Sequence, residues 1–231
     1  MYICAAHKQL KPMLQDFNRL YAFPNIPDLD DQYKIILDSG AFGLSKSGGK
    51  MDAQYLQQLA EHYRNHGKQK NVYCIAPDVF KNSHKSIRQY KEFIARYPDI
   101  KVVPVLQFSS TSIDLFNAKK QIDEYSRYSK SGMICISNNK FNSRKQYEEL
   151  KYIVKKIRLK FKNVWIHVLG AGYSHNNVKD WIELGVNSVD SISYYTDAQA
   201  KLKWLRDSYQ TEPENATFEE IALNNATVAN L

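Results

Sequence analysis

Two hydrophobic rhythms alternate along this chain. Short, nearly continuous apolar runs give way to longer stretches in which apolar residues recur every third or fourth position. The first rhythm is that of strands buried on both faces, the second that of amphipathic helices. Strands are expected at residues 2–5, 33–37, 72–76, 101–106, 133–137, 164–169 and 188–192. Helices are expected at about 8–20, 52–66, 83–97, 112–128, 143–161, 176–184 and 196–209. The helix at 52–66 carries Tyr55, Leu56, Leu59 and Tyr63 on one face, and Asp52 stands where a cap belongs. Residues 21–31, with Pro24 and Pro27, predict a loop, and the Gly-rich basic segment at 45–50 another. A short helix is expected at 218–223 in the acidic, Asn-rich tail.

Strict alternation of strand and helix implies parallel strands joined by crossover helices. Two architectures satisfy it, a (β/α)8 TIM-type barrel and an open doubly wound sheet. The ends of the apolar runs separate them. Ile35-Ile-Leu-Asp38, Val72-Tyr-Cys-Ile-Ala-Pro-Asp78, Val102-Val-Pro-Val-Leu-Gln107, Val164-Trp-Ile-His-Val-Leu-Gly170 and Asn187-Ser-Val-Asp190 each finish on a polar residue or glycine. In a barrel all such ends meet at one mouth, whereas in an open sheet they lie along an edge. A single-domain (β/α)8 barrel over residues 1–210, followed by a tail at 211–231, is therefore the expected fold. Its eighth strand is not evident: it falls in residues 21–32 or in the tail, or the barrel is reduced and irregular at one strand.

Composition adjusts this picture in three ways. The formal charge is +8, from 32 basic and 24 acidic residues, which points to a polyanionic partner such as nucleic acid. Cys4, Cys74 and Cys135 each sit inside an apolar run without a C-x-x-C pair, so free, buried thiols are expected. No leader-like segment and no apolar run long enough to span a bilayer is evident, which reads as a cytoplasmic protein.

Asp38, Asp78 and Asp190 gathered at one mouth would shift one another's ionisation. Such a set serves either as oxygen ligands for a metal or as a pair of carboxylates acting on a sugar carbon as nucleophile and general acid/base. A third acid suits the N–H edge of a guanine-like base. Each Asp taken singly also fits a helix cap or turn. Gly170-Ala-Gly172 lacks the third glycine of a dinucleotide fingerprint.

Taken together, these segments resemble the tRNA-guanine transglycosylases, and more closely the small DNA-acting relatives of phages and bacteria that insert 7-deazaguanines into DNA. Leu37-Asp-Ser-Gly-Ala-Phe42 is similar to that family's D-S-G-G-[FY] motif, Ala76-Pro-Asp78 to its base-recognising segment, and Pro104-Val-Leu-Gln107 to its [VI]-Q segment. His167-Val-Leu-Gly-Ala-Gly172 is similar to its L-x-G-x-G segment, and Gly185-Val-Asn-Ser-Val-Asp190-Ser to the segment holding its nucleophile. The motifs keep the family's order.

The resemblance implies that Asp190 attacks C1′ and that Asp38 is the general acid/base. It implies that Asp78, Gln107 and the Leu169-Gly170 backbone read the base, with Ser39, Gly40 and Gly172 shaping the pocket and Phe42 stacking. It further implies exchange of guanine in DNA, or alternatively in tRNA, for a base such as preQ0, with no cofactor. In a phage-encoded member this would happen in the host cytoplasm, and a partner protein that opens the duplex is compatible with it. The departures are specific. The last 40 residues contain no Cys or His, so the zinc site of tRNA-acting members is not expected; Ala41 replaces a glycine, and Gly43 stands where glutamine is common. Ser193-Tyr-Tyr-Thr-Asp197 replaces P-T-R.

Nucleic-acid contacts are expected from Lys46, Lys50 and Lys81 around the mouth and from stacking of Tyr194 and Tyr195. The basic run Lys151, Lys155, Lys156, Arg158, Lys160 and Lys162 reads as a solvated helix face. A non-catalytic nucleic-acid-binding barrel subunit and a hydrolytic glycosidase are the competing readings.

Overall fold

A computed structural model of the protein describes residues 2–5, 14, 16–27, 32–108, 114–137, 144–161, 163–171, 181–191, 193–205, 209–211 and 216–229. Its centre is one parallel sheet of nine strand segments: β1 (Tyr2–Ala5), β2 (Arg19–Ala22), β3 (Ile35–Asp38), β4 (Val72–Ile75), β5 (Val102–Val103), β6 (Val105–Leu106), β7 (Met133–Ser137), β8 (Trp165–Leu169) and β9 (Ser188–Ser191). They run in the order β5-β4-β3-β2-β1-β9-β8-β7-β6. The two terminal segments, β5 and β6, are consecutive in the chain and separated only by Pro104. Val103 O accepts from Ala76 N at 2.8 Å on one side, and Pro104 O accepts from Cys135 N at 2.9 Å on the other. The sheet thus curls into a nearly closed TIM-type barrel whose interruption lies at the proline, which has no N–H for the ladder.

The strand the sequence left unplaced is β2. Residues 8–20 read as a helix and 21–31 as a loop, yet Arg19–Ala22 pairs with β1 and β3 (Cys4 with Arg19, Ala22 with Asp38). The segment is only four residues long, so its two-residue period barely shows. Two other expectations need correction. The loop expected at 45–50 begins inside a helix, α1 (Ala41–Lys46). The last expected helix, 196–209, is instead a short helix followed by a hairpin of β10 (Leu202–Trp204) and β11 (Tyr209–Thr211). The helix expected at 176–184 and the start of the one at 8–20 lie largely outside the described residues.

Alternation along each strand divides the core in two. Ile3, Leu20, Ile36, Ile75, Val103, Val105, Met133 and Cys135 fill the barrel, with Tyr73, Trp165 and Leu169 against them. The neighbouring positions Cys4, Tyr21, Ile35, Leu37, Ile134, Ile136, Ile166 and Val168 face outward. They meet α2 (Ala53–His66), α3 (Ser83–Arg96), α4 (Leu115–Tyr128) and α5 (Arg144–Lys160) through residues such as Leu59, Phe93, Ile122 and Ile153. Burial on both faces is why the strands read as unbroken apolar runs.

Side-chain oxygens start the helices: Asp52 accepts from Tyr55 N, Asn82 from Lys85 N, and Asp114 from Phe116 N and Asn117 N. Three of the 16 tyrosines brace the barrel. Tyr63 OH donates to Ile75 O at 2.6 Å, Tyr125 OH to Val105 O at 3.0 Å, and Tyr194 OH to Ala5 O at 2.8 Å. Each hydroxyl ties an outer helix to a strand carbonyl.

Helix α6 (Ser193–Gln199) packs on the C-terminal α7 (Phe218–Val228). The latter starts with a capping box between Thr217 and Glu220, and extends past the 218–223 expected from sequence. Asn225, fully buried, donates to Tyr194 O and Leu202 O, so the tail helix is built onto the barrel. All three cysteines are free and buried. No helix among the described residues is long and apolar enough to cross a membrane.

Candidate active site

Inward-facing positions at the C-terminal ends of the strands are polar where the rest of the barrel is apolar. Asp38 lies two residues beyond Ile36 on β3. Ser137 lies two beyond Cys135 on β7. His167 lies two beyond Trp165 on β8, and Ser188 and Asp190 share the inner face of β9. Asp78 and Gln107 follow the ends of β4 and β6. The same parity that packs the barrel therefore carries these groups to one mouth.

The carboxylates sense one another. Burial, chiefly, raises Asp38 from its ordinary 3.8 to about 6; the Gly40 N–H opposes this and the Asp190 charge adds to it. Burial likewise raises Asp78 from 3.8 to about 7, with the Asp38 charge the next contribution. The Cys135 thiol beneath them is pushed up by burial and then by Asp190, Asp38 and Asp78 together. That one buried thiol is coupled to all three acids agrees with their positions at the C-terminal ends of the strands.

Each acid has a different set of donors. Asp38 Oδ2 accepts from Gly40 N at 2.9 Å. Gly40 achieves this with φ 75°, a left-handed turn, and an added Cβ there would stand 2.8 Å from Tyr55 Oη and 3.0 Å from Phe23 O. Tyr55 OH in turn donates to Ser39 O at 2.7 Å. Asp78 accepts from Ser39 Oγ at 3.2 Å and from the Gln107 side-chain amide.

Gln107 is locked at every end. Its Oε1 accepts from Lys81 N at 3.1 Å, its backbone N–H donates to Gln121 Oε1 at 2.8 Å, and its carbonyl accepts from Gln121 Nε2 at 2.9 Å. The Lys81 backbone bends into φ 60° to reach it. Asp190 Oδ1 accepts from Gly170 N at 2.9 Å and lies 3.0 Å from His167 Nε2. Gly170 also turns left-handed, with φ 62°.

Of the residues singled out from sequence, the structure brings together Asp38, Ser39, Gly40, Asp78, Gln107, Gly170 and Asp190, with Leu169 half-buried on the barrel's inner face. Phe42 stands above them, 51% exposed, edge-on to Phe80 with ring centroids 5.2 Å apart. Lys46 Nζ lies 4.5 Å from the Phe42 centroid and Lys81 Nζ 5.1 Å from that of Phe80. Two aromatic edges flanked by two ammonium groups thus rim the site. Lys50 is exposed beyond the Gly48-Gly49 turn. Gly172 lies outside the described residues.

Tyr194 and Tyr195 do not stack on anything from outside: they are 0% and 7% exposed, the first bonded to Ala5 O and the second edge-on to Phe218. Their place on the inner side of α6, under α7, makes them core. Arg158 is likewise no solvated cation. It donates to Val164 O, Gly185 O and Asn187 Oδ1, joining α5 to the starts of β8 and β9.

Sequence reasoning passed over His167, Ser188, Trp165, Gln121 and Phe80 as functional positions. Counting by twos would have found the first three, because Trp165, His167 and Leu169 share one face of β8, and Ser188 shares that of Asp190. Among the described residues no group of three or more His, Cys, Asp or Glu side chains is arranged to hold a metal ion. A comparison of the chain with protein-family models and another with curated proteins each return no match.

Proposed function

We propose that the protein is a transglycosylase that exchanges guanine in DNA for a 7-deazaguanine such as preQ0 through a covalent glycosyl-aspartate. The observation that carries this reading is the pairing of two unlike carboxyl groups, Asp38 and Asp190, at one barrel mouth beside a third, Asp78, that is clamped by an amide. An oxygen of Asp190 forms a bond to C1′ while the C1′–N9 bond breaks, its electron pair leaving with guanine. Asp38, whose raised proton affinity suits an acid near neutral pH, supplies the proton that guanine takes up. In the second half the incoming base gives its N9 proton back to Asp38 and displaces Asp190 from C1′.

Asp78 and the Gln107 amide suit the N1–H, exocyclic amine and carbonyl edge of a guanine-like ring. Ser39 and Gln121 hold both groups in place before a base arrives. The half-exposed Phe42 suits stacking by a nucleobase drawn out of the duplex, with Phe80 edge-on beside it, and Lys46, Lys50 and Lys81 suit the phosphates on either side.

The test is incorporation of labelled guanine or preQ0 into duplex DNA, single-stranded DNA and tRNA. Label in DNA that chases out with unlabelled base supports the reading. Label in tRNA alone changes the polymer. Release of guanine to leave abasic sites, with no exchange, turns the same carboxylates into a hydrolase. The Asp190→Ala variant is expected to form no denaturation-resistant protein–nucleic acid adduct.

A further inference from the structure

The inner faces of β8 and β9 carry a continuous polar chain from the barrel floor to its mouth. At the floor, Lys34 Nζ lies 4.7 Å from the Trp165 ring centroid and 5.4 Å from that of Tyr73. Trp165 Nε1 donates to Ser188 Oγ at 2.7 Å. Ser188 Oγ lies 2.8 Å from His167 Nδ1, and His167 Nε2 lies 3.0 Å from Asp190 Oδ1. His167 is 0% exposed and Ser188 2%.

Direction follows from the donors available. An indole N–H only donates, so Ser188 accepts there and has its own hydroxyl proton to give. A hydrogen on Nε2 faces the carboxylate, with Nδ1 either accepting from Ser188 or, on a ring that carries both hydrogens, donating to it. The opposite tautomer would point a bare nitrogen lone pair at Asp190 Oδ1.

We infer that His167 is a positioning residue for the nucleophile: its Nε2–H and the Gly170 N–H both occupy Oδ1 of Asp190, which leaves Oδ2 as the oxygen that bonds C1′, while Ser188 and Trp165 fix the ring's tautomer. This rests on the transglycosylase reading for the identity of the attacked atom, and on hydrogen-bond geometry for the rest. Two donors on one oxygen orient the carboxylate inside an apolar barrel. The arrangement parallels the way a carboxylate orients a histidine in a hydrolase, with the roles reversed: here the histidine orients the carboxylate.

The test compares His167→Leu with His167→Gln. Glutamine places an amide N–H where Nε2 stands; leucine removes the donor. Loss of a hydrogen bond to a buried anion is expected to slow single-turnover adduct formation roughly 10- to 100-fold in His167→Leu. The KM for the incoming base should stay near wild type, because Asp78 and Gln107 hold that base. His167→Gln should recover most of the rate, and both variants should match the wild-type circular dichroism spectrum. A glutamine variant as slow as the leucine variant, or one in which KM rises in step with the loss of rate, overturns the inference.

A readout independent of activity is the ring nitrogen NMR of the wild type. Hydrogen on Nε2 is expected, and Ser188→Ala should broaden or reverse that preference. Hydrogen on Nδ1 alone in the wild type overturns the inference. A wild-type protein that forms no adduct with any nucleic acid overturns the transglycosylase reading and with it the role in attack. An adduct that forms as fast in His167→Leu as in the wild type overturns this inference alone.

Discussion

Removing the charge from Asp38 should stabilise the protein, and do so only where the wild-type carboxyl would be ionised. Burial and the neighbouring Asp190 raise this group from 3.8 to about 6, so the folded protein holds its proton about a hundredfold more tightly than an unfolded chain does. The sign follows from linkage. Between pH 3.8 and about 6 the native state binds a proton that the unfolded state has lost, so stability falls as pH rises through that window and levels off above it. The full cost of ionising the group in place is of the order of 3 kcal/mol, at ~1.4 kcal/mol per tenfold.

The amide introduced by Asp38→Asn would keep the acceptor for Gly40 N and carry no charge. Its nitrogen needs an acceptor of its own, which reduces the gain to roughly 1–3 kcal/mol. Relief of Asp78, which Asp38 also raises, acts in the same direction. For a chain of this size that corresponds to roughly 3–10 °C in Tm at pH 8. The measurement is thermal or urea unfolding of the wild type and Asp38→Asn at pH 4 and pH 8. The variant's advantage should appear at pH 8 and nearly vanish at pH 4, and base exchange should be lost at both. An advantage that is equal at the two pH values, or larger at pH 4, would refute the claim that a partly buried, repelled charge sits here.

Three further outcomes follow from particular contacts. Gly40→Ala must adopt φ 75° and push its methyl toward Tyr55 Oη and Phe23 O, so a loss of roughly 2–4 kcal/mol in urea unfolding is expected, along with impaired exchange. Replacing both Lys46 and Lys81 by Ala should weaken nucleic-acid binding and lower the slope of log affinity against log salt by roughly 1–2, while leaving Tm nearly unchanged; an unaltered slope would remove them from the phosphate path. Tyr194→Phe should lose about 1 kcal/mol of stability with its bond to Ala5 O and leave nucleic-acid affinity untouched. A selective loss of binding would restore the stacking role that burial argues against.

The barrel was legible because its strands are buried on both faces. Ile35-Ile36-Leu37 and Met133–Ser137 are buried throughout, and the polar last residues of such runs announced a shared mouth. Capping residues such as Asp52 could be read locally because a cap is a contact between positions three apart. β2 was not legible: four residues next to two prolines carry too little pattern, and Arg19–Ala22 becomes a strand because β1 and β3 leave a gap that it fills. The same holds for the hairpin after α6, where pairing of Leu202–Trp204 with Tyr209–Thr211 overrides a helical pattern.

The candidate site divides along a similar line. The sequence alone determined that Asp38, Asp78, Gln107 and Asp190 stand at or just past strand ends, since each closes an apolar run. Only the tertiary structure decided what each can do. A carboxyl's proton affinity depends on burial and on charges from distant strands, and the donors to Asp190 come from β8 and the turn after it, some 20 residues earlier. Whether Tyr194 meets solvent or core likewise depends on α7, which packs over it from the far end of the chain. Local pattern fixes which residues reach the mouth; the long-range contacts that set their charge, orientation and exposure exist only once the barrel has curled nearly shut.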